Sequence, residues 1–153
     1  VERARPAEPA DLVLAAQLLA TALEGARTMR GGAALLGART PDDLITRWTS
    51  RGSEAALYVG EFHHAVVGLA AAATFTRTGE TDRSGRIECC FVESEARGVG
   101  VGSALMEAVV GWCGARGCRD IDALALPGDR SSKQRLEAAG FVARLLTLNR
   151  RLD

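Results

Sequence analysis

The sequence predicts a mixed α/β domain whose elements run β-α-α-β-β-β-α-β-α-β. Apolar residues recur at helical spacing near both ends and just past the middle. Between those stretches they crowd into short β-prone runs, and Gly or Pro marks almost every boundary. No repeat, low-complexity linker or shift in composition divides the 153 residues, so one domain spanning 1–153 is expected. Such a chain can bury roughly 70% of the surface it exposes when unfolded.

Each element has its own warrant. Glu2 to Arg5 reads as a short strand closed by Pro6 and Pro9. From Asp11 onward, Leu12, Ala15, Leu18, Leu19, Ala22 and Leu23 share a helical face, and Gly31-Gly32 ends it. Thr40 is placed to cap a second helix, with Pro41 at its first position and Leu44, Ile45 and Trp48 as its apolar face. Ala55 to Phe62 and Ala65 to Thr76 are β-prone runs separated only by His63-His64, which reads as a hairpin. A polar loop, Gly79 to Gly85, precedes a strand over Arg86 to Val92. The glycine-rich turn Arg97-Gly98-Val99-Gly100-Val101-Gly102 then opens into a helix, Ser103 to Arg116, with Val101, Leu105, Val109 and Trp112 on one stripe. Ile121 to Leu126 reads as a short buried strand stopped by Pro127-Gly128. Ser131 to Ala139 forms a last helix ended by Gly140, and Phe141 to Asn149 a final strand.

Composition narrows the function classes. The 19 basic and 19 acidic residues balance, at a pI near 6.9, so no nucleic acid or anionic membrane surface is expected as partner. The longest apolar stretch, Ala65 to Ala73, is about half of what a bilayer span needs. The opening Val1 to Pro6 has no apolar segment of signal-peptide type, and a cytoplasmic location is expected. Cys89, Cys90, Cys113 and Cys118 fit no zinc spacing and read as buried thiols. His63 and His64 read as solvated turn residues, so no metal site is expected.

The chemistry concentrates at the glycine turn. Glycine permits positive φ and lets a ligand approach the backbone, while the following helix leaves amide donors unpaired at its positive end. That combination suits a phosphate or pyrophosphate. A P-loop would need Gly-Lys-Ser/Thr, and no lysine precedes Ser103. A dinucleotide fingerprint needs two residues between its later glycines, whereas only Val101 separates Gly100 from Gly102.

What remains, Arg-x-x-Gly-x-Gly after a strand ending in Phe91-Val92, resembles the acetyl-CoA signature of the GNAT acetyltransferase superfamily. The segment Ile87 to Gly98 is similar to that family's fourth strand and turn, with Ser94 where a proline is usual. Leu136-Glu137-Ala138-Ala139-Gly140-Phe141 resembles the family's Tyr-Glu-Lys-x-Gly-Phe, and Asp129 takes the place of a common asparagine. Arg5-Pro6-Ala7 with Asp11 is similar to a typical start for these proteins. The resemblance covers essentially the full chain.

It implies a mixed, mostly antiparallel sheet with splayed fourth and fifth strands and helices on both faces. It also implies an N-acetyltransferase that passes acetyl from acetyl-CoA to a primary amine by direct attack, the amine belonging to a small molecule or a protein. A CoA-binding member with a sensing or structural role and little turnover is the competing reading. By analogy Phe91 and Val92 offer backbone partners to pantetheine, and amides of Gly98, Val99, Gly100, Val101, Gly102 and Ser103 hold the pyrophosphate with Arg97 nearby. Asp129 joins the cofactor set by its place in the motif, and the Val92 N–H is the candidate oxyanion stabiliser. Glu88 is the candidate general base, weighed against an ion pair with Arg86 or another arginine. Strand alternation puts Glu88 on one face with Cys90 and Val92. Leu136 stands where the family often has a tyrosine acid. A homodimer, common in the family, is a further expectation.

Overall fold

A five-stranded sheet in the order β1-β2-β3-β4-β5 separates two apolar layers in the computed structural model, which describes residues 1–152. The strands are β1 (Glu2–Pro6), β2 (Ala55–Phe62), β3 (Ala65–Thr76), β4 (Arg83–Val92) and β5 (Ile121–Ala123). The first four pair antiparallel, and β5 joins β4 in parallel. The helices are α1 (Leu12–Arg27), α2 (Gly32–Leu36), α3 (Pro41–Thr49), α4 (Val101–Ala115) and α5 (Arg130–Ala138). No described helix is long and apolar enough to cross a membrane.

On one face α4 presses Val101, Leu105, Met106, Val109, Trp112 and Cys113 onto Val67, Ala70, Ala72, Ile87 and Val92. On the other, α1 and α3 bring Ala15, Leu18, Leu19, Leu44, Ile45 and Trp48 against Leu57, Leu69 and Ala71. Because β3 lies under helices on both faces, its apolar run is continuous rather than alternating. The small Ala70–Ala73 side chains, at most 3% exposed, leave room for both layers. The start of α3 follows its sequence signals: Thr40 Oγ1 accepts from Asp43 N–H at 3.1 Å, and Asp43 returns the bond to Thr40 N–H. His63 and His64 take φ of 49° and 68°, the paired left-handed conformation of a tight two-residue hairpin turn.

Three expectations are corrected. Gly32–Leu36 forms a short helix where a connection was expected. The strand expected over Ile121 to Leu126 stops at Ala123. The final strand expected over Phe141 to Asn149 does not form: the segment has no regular structure, and Val142, Leu145, Leu146 and Leu148 are at least 78% exposed. A strand is stabilised by the ladder beside it. Here β5, the edge strand, offers a ladder of only three residues.

Candidate functional site

The site begins where β4 and β5 separate. Their ladder runs through Gly85–Ile121, Arg86–Asp122 and Ile87–Ala123 and then ends. Pro127, four residues past the end of β5, cannot donate to a ladder. On the other side of β4, Ile87 faces Ala72 and Cys89 faces Ala71, so Glu88 is an extra residue in a β-bulge. Further on, Glu93 N–H donates to Val67 O at 2.9 Å. Strand alternation then turns the peptide groups of Cys90 and Val92 away from β3, into the opening. Their carbonyls are met there by side chains: Arg97 Nε donates to Val92 O at 3.0 Å, and Arg135 Nη1 lies 3.5 Å from Cys90 O. The opening is therefore a strand edge without a strand beside it.

That edge runs directly into the glycine turn. Gly98 and Gly100 adopt φ of 84° and 91°, which a side chain would strain. Gly100 is the residue before α4, no side chain caps this end, and the first backbone bond onto the helix is Ala104 N–H to Gly100 O. The amides of Val101, Gly102 and Ser103 thus point out of the helix without intrahelical acceptors. A Cβ on Gly98 would meet nothing within 4 Å, so a ligand has room beside the backbone. Arg97 lies over the Phe91 ring at 5.9 Å. The exposed Glu2 carboxylate also reaches this turn, with Oε1 3.4 Å from the Cβ position of Gly100. An open strand edge leading into an uncapped helix N-terminus fits an elongated ligand with an amide-bearing arm and an anionic end.

The residues expected at the site are distributed differently from their sequence reading. Glu88 accepts from Arg47 Nε at 2.9 Å, Arg47 Nη2 at 2.7 Å and Trp48 Nε1 at 2.7 Å. Burial pushes its carboxyl pKa up, but those hydrogen bonds outweigh burial and hold it below the ordinary value. Glu88 therefore faces α3, whereas Cys90 and Val92 pack on the α4 side. The shared face predicted by alternation is lost because the bulge resets the alternation by one residue. The register with Leu69 turns the peptide groups of Phe91, expected as a backbone partner, toward β3, and those of Cys90 lie at the open edge. Asp129 accepts from Ser132 N–H at 3.1 Å and Ser132 Oγ at 2.6 Å, capping α5. Leu136 packs half-buried against the α4-side core. Burial raises the thiol pKa of Cys89 to about 12 and lifts that of Cys90, so neither is a ready nucleophile.

Arg47, Trp48 and Arg135 were not foreseen. The signal for the first pair was present, since Arg47 sits beside Trp48 on a helix whose apolar face is buried. Among the described residues no group of three His, Cys, Asp or Glu side chains clusters as a metal site.

Residues 34–141 match the acetyltransferase (GNAT) family. No curated protein matches the chain. Among solved structures, a ribosomal-protein-alanine N-acetyltransferase from Brucella melitensis biovar Abortus 2308 is 16% identical at TM-score 0.72, with both chains covered in full. Glucosamine-6-phosphate N-acetyltransferase from Arabidopsis thaliana is 18% identical at TM-score 0.69, covering 100% of this chain and 99% of that one. A predicted acetyltransferase from Clostridium acetobutylicum, solved with acetyl-CoA, is 20% identical at TM-score 0.72, covering 97% and 96%. At these identities the likeness establishes a shared fold.

Proposed function

The chain belongs to the acetyltransferase (GNAT) family, and from that membership we propose that it passes an acetyl group from acetyl-CoA to a primary amine by direct attack. The observation that carries this reading is the open edge of β4 running into the uncapped start of α4. The donor supplies a thioester-activated acetyl group. The peptide groups of Cys90 and Val92 pair with its amide arm, and the amides from Gly98 to Ser103, with Arg97, hold its diphosphate. Asp129 serves by fixing the start of α5 beside the cleft.

In the transfer an N–C bond forms as the C–S bond breaks. Glu88, held ionised by Arg47 and Trp48, takes the amine proton directly or through water, and the Val92 N–H faces the carbonyl oxygen. The leaving thiol has an ordinary pKa near 8.5, so it can depart without a side-chain acid. Leu136 is thus compatible with turnover.

The test is acetyl-CoA binding together with release of free CoA thiol across a panel of amines. Saturable binding with release on at least one acceptor supports the enzyme. Tight binding with no release on any acceptor supports the second reading, a CoA-binding protein without turnover. Two features favour that alternative: Leu136 at the tyrosine position and the commitment of Glu88 to two donor side chains.

A further inference from the structure

One charged side chain reaches the glycine turn from α5. Arg135 of α5 is half-buried, with Nη1 3.5 Å from Cys90 O and 3.7 Å from Cys90 Sγ. Its Nε and Cζ lie 3.4 and 3.5 Å from the point where a Cβ on Gly102 would stand. The guanidinium therefore rests against the first turn of α4, at van der Waals distance from Gly102.

The charge is not balanced by these neighbours. The Cys90 thiol is neutral and its carbonyl carries only a partial charge. Asp129 feels the charge of Arg135, but its carboxylate is spent on Ser132 and Ser131. Among the described residues no carboxylate forms an ion pair with Arg135. A cation set against the positive end of a helix is repelled by it. An anion between the two reverses the sign of both interactions, and guanidinium and helix amides both suit phosphate oxygens.

We propose that Arg135 is a donor-binding residue that grips the CoA diphosphate from the α5 side, together with Arg97 and the α4 amides. The assignment rests on the acetyl-CoA reading above.

Calorimetric titration of CoA, and of pantetheine, which has no phosphate, into wild type, Arg135→Gln and Arg135→Lys tests this. Arg135→Gln is expected to weaken CoA about 10- to 100-fold, the range of a charged hydrogen bond, and to leave pantetheine unchanged. Arg135→Lys should recover part of the loss. Equal weakening of both ligands, or no weakening of CoA, overturns the role of Arg135 while leaving the donor reading intact. Wild type that binds no CoA overturns both. Should Arg135→Gln fail to fold, the same two-ligand comparison is made with Arg135→Lys, for which CoA should weaken and pantetheine should not.

Discussion

Individual side chains here are set by their partners more than by their types. Glu88 follows the last ladder residue of β4 beside β5, and its three hydrogen bonds from Arg47 and Trp48 hold its pKa below the ordinary carboxylate value. Glu88→Gln should therefore cut kcat at pH 7 at least tenfold while leaving acetyl-CoA affinity within about twofold. Because its folded pKa lies below the ordinary carboxylate value, the wild-type rate should show no Glu88 limb between pH 6 and 8. Unchanged kcat in steady-state assays would remove Glu88 from proton transfer. Glu61 shows the same logic without a catalytic role. It is 6% exposed and accepts from Arg3 and Arg5, which lower its pKa, Arg3 contributing most. Its stabilisation is thus full above the unfolded value near 4.3 and fades as pH falls through the lower folded value. Thermal melts should place Glu61→Gln several degrees below wild type at pH 7, with the gap shrinking by pH 3.

At the scale of elements, close approaches decide what each segment tolerates. The sheet lets α4 lie low because Gly60 and Gly68 present no Cβ; one on Gly68 would stand 2.7 Å from the Phe91 carbonyl and 3.1 Å from Leu105. Since the first of those atoms is backbone, Gly68→Ala should cost about 1–3 kcal/mol in chemical denaturation, and an unchanged midpoint would show that β4 shifts freely. The turn before α4 is constrained by both conformation and charge. Gly100→Glu meets a φ of 91° and the Glu2 carboxylate and puts an anion where phosphate is proposed. Acetyl-CoA affinity should fall by more than tenfold in a direct binding measurement. Survival of full affinity would move the donor site elsewhere. Most elements were legible because their signals are local: the Thr40–Asp43 cap, the stripe of α4 and the His63-His64 turn each depend on residues a few positions apart. The bulge at Glu88 was not legible, since an extra residue in one strand is defined only against its neighbour.

Across the whole molecule, the sheet divides the work between its faces. The α4 side carries the glycine turn and, with α5, the walls of the cleft, while the α1 and α3 side holds Glu88 through Arg47 and Trp48. The ladder between β4 and β5 ends at Ile87, directly before Glu88. By itself the sequence determined the mixed α/β class, nearly all of the element order and the place of the glycine turn. Those follow from hydrophobic period, caps and glycine conformation, which act over a few residues. Only the tertiary structure decided which edge of β4 lies open, that Cys90 rather than Phe91 faces it, that Glu88 turns to α3, that Arg135 reaches the glycine turn and that Phe141–Asn149 stays outside the sheet. Each of these depends on register and packing between segments distant in the chain, and such contacts leave no period in the sequence.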